Sequence, residues 1–152
     1  VNMAQTTGLI NGSNLRIMLD ADGGTPVMVD NVTDCSISVS SEMKDTSVKE
    51  DGGFKAELPG RVTVSVNFTA YFEEADATSG YTSIIGWQLA GTKLDAKFTQ
   101  MIGTATTENV GDHAFTFEAY VVSCDLNGGV EDTATYSVSL SAVGTVTYAA
   151  IV

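Results

Sequence analysis

Few residues in this chain are of a type and spacing that could do chemistry. His113 is the single histidine. As a general base it would need a nucleophile or an orienting carboxylate near it in space, and it belongs to no motif that would bring one there. Its place at a loop–strand junction predicts a solvated strand-end side chain. Asp20-x-Asp22-Gly23-Gly24 has the opening of a calcium loop but lacks the later carboxylates and the closing Glu. A hairpin turn accounts for it. Glu73, Glu74 and Asp76 could pair for acid–base work, yet acids clustered at a strand end ordinarily form a solvated cap. Cys35 and Cys124 sit in phase with apolar neighbours (Ile37 and Val39; Val122 and Leu126), which predicts two buried free thiols acting as small hydrophobes, or else a cross-strand disulfide. Neither has the close Cys or His companions a metal site needs. No glycine-rich phosphate cradle is present, and no cofactor is expected. Asn11, Asn31 and Asn67 each head an Asn-x-Ser/Thr triplet. Such matches are expected by chance where Ser and Thr are abundant, and a glycan on Asn67 would sit badly inside a strand.

Composition narrows the field further. The chain has 152 residues, enough for one domain, with 43% hydrophobic and only 17% charged residues against a typical quarter. Ser and Thr fill the gap, at about a fifth of the chain. Its abundance of β-branched and aromatic residues argues against disorder. The formal net charge of −12 argues against a protein that grips nucleic acid or an anionic membrane. It does not exclude one that must keep nucleic acid from sticking. No stretch carries the pattern of a secretory leader, and no apolar run approaches the ~20 residues needed to span a membrane.

The elements that would position any site are mostly strands. Val1 to Ser13 is aperiodic and is expected to form an N-terminal arm. Leu15, Ile17 and Leu19 alternate with Arg16 and Met18, and Thr25–Val29 returns after the Asp20–Gly24 turn. From Asp34, Cys35, Ile37 and Val39 alternate with Ser36, Ser38 and Ser40, the period of two that marks a half-buried strand. Glu42–Gly60 loses that period, contains Gly52-Gly53 and ends Leu58-Pro59-Gly60, which predicts a long loop. Loops of that length are usually functional. Four of the seven basic residues, Lys44, Lys49, Lys55 and Arg61, lie in or beside it. Arg61–Phe72 is the longest regular strand, with Val62, Val64, Val66, Phe68 and Ala70 on one face and Thr63, Ser65, Asn67 and Thr69 on the other.

Ser79–Ala90 is the one helix candidate, with Tyr81, Ile84, Ile85, Trp87 and Leu89 at helical spacing, Ser79 as start cap and Gly91 as stop. One apolar face carrying Trp87 is expected to pack on a sheet. Lys93–Met101 alternates again, and Ile102–Asp112 is a polar connection. His113–Asp125 carries Phe115, Phe117, Ala119 and Val121 in phase, and its slip at Val121-Val122 predicts a β-bulge. After the Asn127-Gly128-Gly129 turn, Ala134, Tyr136, Val138, Leu140 and Ala142 alternate with Thr133, Thr135, Ser137, Ser139 and Ser141. Thr145–Val152 is expected to be an extended C-terminal segment. The fold class is mainly β: an antiparallel β-sandwich or barrel with one short α-helix laid against it.

The polar faces of these strands are small neutral hydroxyls. A solvated strand surface usually carries Lys and Glu, partly to block edge pairing. The hydroxyl rows either face solvent or belong to strands that pair with copies of themselves in a larger closed sheet.

The order of features resembles the major tail protein, or tail tube protein, of long-tailed bacteriophages. The resemblance runs through Gly12-Ser-Asn-Leu-Arg-Ile17, Asp34-Cys-Ser-Ile-Ser-Val-Ser40 and the charged segment ending Leu58-Pro59-Gly60. It continues through the long strand, the short helix, Tyr136-Ser-Val-Ser-Leu140 and Gly144-Thr-Val146. It covers almost the whole chain as one tail-tube-like domain, 1–152, and rests on order, length and composition.

The resemblance implies hexameric rings that stack into a hollow tube in the virion tail, assembled in the host cytoplasm, with genomic DNA passing through without specific binding. The partners implied are the chain itself, a tape-measure protein, a tail terminator and distal tail or baseplate proteins. The 42–60 loop would contact the next ring through Lys44, Lys49, Phe54 and Lys55. The arms 1–13 and 145–152 would add ring contacts. The residues expected to line the lumen are Ser36, Ser38, Ser40, Thr63, Ser65, Asn67, Thr135, Ser137 and Ser139. Closure removes the need for edge-blocking charges, and an acidic conduit avoids salt-dependent grip on phosphates. The other readings are a secreted β-sandwich adhesion or carbohydrate-binding module, which would want exposed aromatics on one face, and a capsid decoration protein, which would trimerise.

Overall fold

A computed structural model describes residues 7–74, 80–101 and 108–152. The expected Ser79 cap, Asp76, the first part of the N-terminal arm and most of the Ile102–Asp112 connection lie outside the described residues. Among the described residues, seven strands form one antiparallel sheet: β1 (Leu15–Ala21), β2 (Val27–Met28), β3 (Val32–Asp45), β4 (Glu57–Tyr71), β5 (Leu94–Gln100), β6 (His113–Asn127) and β7 (Thr135–Ala150). The order across the sheet is β2-β1-β5-β6-β7-β4-β3.

The sheet curls until its two ends meet. The Cys35 Sγ on β3 lies 3.7 Å from the Leu15 carbonyl on β1. The inward-facing residues thereby share one core: Ile17 and Leu19; Val66, Phe68 and Ala70; Leu94, Ala96 and Phe98; Phe117 and Ala119; Tyr136, Val138 and Leu140. The alternation in the sequence is this inside–outside alternation. Among the described residues a single α-helix, α1 (Tyr81–Ala90), inserts Ile84 into the core. Tyr81 packs tilted on Tyr136 and edge-on to Phe72. Gly91 ends the helix in the left-handed region, φ 68°, as its sequence position predicts. Gly80 starts it with no side-chain cap.

The predicted slip at Val121-Val122 is a bulge: Val121 faces Leu140 while Ser123 already faces Ser139. A second irregularity was not legible. Glu118 pairs Val143 but Thr116 pairs Thr147, so three residues of β7 span one of β6, with Gly144 at φ 69°. Two expectations need correction. Glu42–Gly60 is not a loop throughout. β3 runs on to Asp45 and β4 begins at Glu57, leaving 46–56 as the connection, with a short 3-10 turn at Lys49–Asp51. Register shifts between Ser41 and Met43, opposite the Pro59-Gly60 stretch, scramble the period that would have revealed the strands. Likewise, 145–152 is not a separate extended segment: β7 continues to Ala150, paired with Ala114, Phe115 and His113 of β6.

Candidate assembly surfaces

Pairing register gathers the hydroxyl residues onto one surface. Ser36 on β3 faces Asn67 on β4, which faces Ser139 on β7, which faces Ser123 on β6. The next row is Ser38, Ser65, Ser141 and Tyr120, and beyond it Ser40 faces Thr63. On the other side run Thr69 with Ser137, then Tyr71 with Thr135. Directly paired residues share a face, so all nine expected lumen residues lie together on the outer face of the β6-β7-β4-β3 part of the sheet. Their strand neighbours Val64, Val66, Phe68, Tyr136, Val138 and Leu140 are buried on the other side. The Ser139 hydroxyl donates to Asn67 Oδ1 at 2.6 Å, and the Thr69 and Ser137 hydroxyls are 3.4 Å apart. Three acids share this face: Asp34 and Asp125 at the two ends of the row Asp34–Thr69–Ser137–Asp125, and Glu118, two residues from Tyr120 on β6.

Charge collects around β5 instead. Lys93 lies 3.4 Å from Asp22 and 3.1 Å from Glu118. The hydrogen bond it donates to Glu118 chiefly holds its ammonium above the ordinary lysine range. Asp22, Asp95 and Glu118 lie close together, with Asp95 Oδ2 accepting from the Gly23 amide at 3.0 Å. The Asp20–Gly24 turn is thus tied down by its hairpin and by Lys93. Lys97 pairs with Glu108 at 2.6 Å. A buried polar cluster closes the end of β5: Gln100 Nε2 donates to Asp112 Oδ2 at 2.7 Å, and Asn109 Nδ2 lies 3.4 Å from the same oxygen. Asn109 and Asp112 fall in an aperiodic polar stretch, so no pattern there signalled their burial against Gln100.

His113 is exposed at the start of β6 and stacks on Tyr148, with ring centroids 5.2 Å apart. Cys35 and Cys124 are free thiols, both half-buried. Burial raises both thiol pKa values, that of Cys124 to about 11. Among the described residues, no helix is long and apolar enough to cross a membrane.

The β3–β4 hairpin projects out of the body. β7 accompanies β4 only over 65–71, so beyond Ser65 the two strands form a free ribbon. Val39, Met43, Leu58 and Val62 are exposed along it, and Val48 and Phe54 at its tip, Phe54 to 81%. Lys44, Lys49 and Lys55 are all exposed here, Lys55 in an ion pair with Glu57. The 42–60 segment holds three lysines against five carboxylates, so its basic residues stand in a slightly acidic stretch. The exposed apolar side chains are the larger signal, and one that a reading based on charge misses.

A family model for the phage tail tube protein matches residues 10–148. The chain belongs to the phage tail tube protein family. It is a structural subunit of a tail tube, a component of the virion tail. Solved structures share the fold. A chain of the virion of a native gene transfer agent particle superposes with a TM-score of 0.73 at 19% identity, covering 93% of this chain and 99% of that one. A chain from the tail of an empty gene transfer agent particle, computed with C6 symmetry, gives 0.74 at 20% identity with coverage of 93% and 99%. The SPP1 tail tube gives 0.69 at 19%, covering 95% and 81%. No curated protein matches by sequence.

Proposed function

We propose that six copies of this tail tube protein close into a ring, that rings stack into a hollow tube, and that the hydroxyl face lines the conduit through which DNA passes. The observation that carries this reading is the pair of open edges flanking the hydroxyl face. The outer edge of β3 has no strand hydrogen-bonded along it among the described residues, β1 touching it only near Cys35. At the other side, β5 accompanies β6 only over 115–119, which leaves the 120–127 stretch of β6 without a strand on that edge. A sheet open at both sides, with few charges to block pairing, suits head-to-tail addition of further copies. A rotation that closes such contacts makes a ring. The nine uncharged side chains expected in the lining give phosphates nothing to hold.

On this reading Ser36, Ser38, Ser40, Thr63, Ser65, Asn67, Thr135, Ser137 and Ser139 line the lumen. The ribbon tip, with Lys44, Lys49, Phe54 and Lys55, reaches the next ring, and residues 1–13 add ring contacts. Tape-measure, terminator and distal tail or baseplate proteins are the partners, and assembly takes place in the host cytoplasm. The subunit does its work by shape and surface, without a reaction. Electron microscopy of the purified protein tests the proposal. Tubes or six-fold rings are expected, and discrete monomers at high concentration would overturn it. A tube structure that buries Ser38 or Ser65 in a dry contact would overturn the lumen assignment alone.

A further inference from the structure

The helix α1 is uncharged along its whole length, in a chain of net charge −12. Its inner face is accounted for by Ile84 in the core, with Tyr81 and Trp87 packed against it. Its outer face consists of Thr82, Gly86, Leu89 and Ala90, all exposed, with Leu89 at 83%. These positions fall on one stripe at helical spacing. A surface helix ordinarily turns charged residues to water, and one that is apolar all round is ordinarily buried on all sides. Gly86 is a further departure. A glycine inside a helix weakens it, and a Cβ at this position would meet nothing within 4 Å. Among the described residues of its own subunit, nothing asks for glycine there. A bare backbone on an uncharged helical face lets another chain approach closely.

The second half of the contact lies at the opposite side of the same sheet. α1 packs against β6, where Gln88 Nε2 donates to the Val122 carbonyl at 3.3 Å. It therefore sits at the β6 edge of the β6-β7-β4-β3 sheet, on the face away from the hydroxyl rows. Leu126, also on that face at the β6 edge, is partly exposed. At the β3 edge, the core-facing row Val66, Val64 continues outward to Val62, opposite Ser41, and to Val39 and Met43 on β3. These three leave the body half exposed, at 57%, 53% and 52%. Both edges thus carry unpartnered apolar side chains on the same face. One head-to-tail contact between two copies would cover both sets at once, which a contact with an unrelated chain at either edge would not.

We propose that the outer face of α1 is the docking surface for the core-side face of the β3–β4 ribbon of a second copy of this chain. The proposal rests on the ring assembly proposed above and specifies what closes it outside the hydroxyl wall. The contact is heterologous, with Gly86 and Leu89 on one copy against Val39, Met43 and Val62 on the next.

Gly86→Arg and Leu89→Lys test it, because both side chains have room in the isolated subunit. Each is expected to keep the wild-type melting curve and to lower the yield of rings and tubes by about tenfold or more. In a Leu89→Cys/Val62→Cys variant, oxidation of assembled tubes should give a ladder of covalent oligomers that neither single variant gives. If wild-type protein forms tubes and Gly86→Arg forms them equally well, the docking surface is refuted while the tail tube proposal stands. If Gly86→Arg blocks assembly but the paired cysteines do not cross-link, the ribbon is not the occupant and the proposal falls. If the wild-type chain forms neither rings nor tubes, the ring assembly itself fails and this contact with it.

Discussion

The two halves of the β3–β4 hairpin carry the same kinds of residue and have opposite fates. In the inner half, Val66, Phe68 and Ala70 are buried beneath Ser65, Asn67 and Thr69. In the outer half, Val62 and Val39 continue the same apolar row into solvent. The difference lies in what stands across from each half. β7 pairs with β4 only up to Ser65, and the curled sheet covers the inner half alone. An apolar side chain stabilises the subunit only where its own chain removes it from water. Those of the outer half are available for burial between subunits.

The sharpest way to break this comparison is truncation on both sides of the boundary. Phe68→Ala is expected to destabilise the subunit by about 3–5 kcal/mol in urea unfolding. Val62→Ala should stay within about 0.5 kcal/mol. Comparable losses at both positions would mean that the ribbon folds back on its own subunit.

The next effect is on stacking. Reversing Lys44, Lys49 and Lys55 to Glu should leave the melting curve of the subunit unchanged and lower tube yield by about tenfold. Normal tubes from that variant would remove charge from the ribbon's role and leave Phe54 and its apolar neighbours to carry it.

A smaller effect is expected at the hydroxyl face. Tubes built from Ser38→Lys or Ser65→Lys subunits should retain DNA in a salt-dependent way, with the binding slope steeper by about 0.9 for each phosphate engaged. DNA retention indistinguishable from wild type would take that face out of the lumen.

The least perturbing test compares thiols. Burial lifts the Cys124 pKa to about 11. The thiol therefore stays protonated at pH 8, where about one molecule in a thousand carries the reactive thiolate. Alkylation of Cys124 should be slow at pH 8 and accelerate as the pH climbs toward 11. A cysteine placed at Val62 should react at an ordinary rate in the unassembled subunit. Rapid alkylation of Cys124 at pH 8 would show that the body opens as readily as the ribbon.

Much of the fold was legible because strand alternation is a local consequence of the pleat. The rows Val64–Ala70 and Tyr136–Leu140, the slip at Val122 and the Gly91 stop all have signatures a few residues long. The nine hydroxyl positions were legible as a set for the same reason, since each lies one residue out of phase with an apolar row. The ribbon beyond Ser41 and Val62 was not. A two-stranded ribbon wet on both faces has no reason to keep an alternating pattern, and the shift near Ser41 with Pro59-Gly60 opposite erased what remained. The C-terminal stretch misled differently. The irregularity at Gly144 interrupts the period, so β7 looked finished at Val143 although its pairing resumes at Thr147.

By itself the sequence determined which side chains share a face, because adjacent residues of a strand point to opposite sides. It also determined that the polar faces would be hydroxyl-rich in a strongly acidic chain. Only the tertiary structure decided how far the burial of each row extends. That depends on where β7 parts from β4 and where the sheet curls back to bring Leu15 against Cys35, pairings between residues distant in the chain. The same curl left α1 with an uncovered, uncharged outer face at one edge and the Val39–Val62 row uncovered at the other, since no pattern within a strand or a helix records which neighbour will cover it.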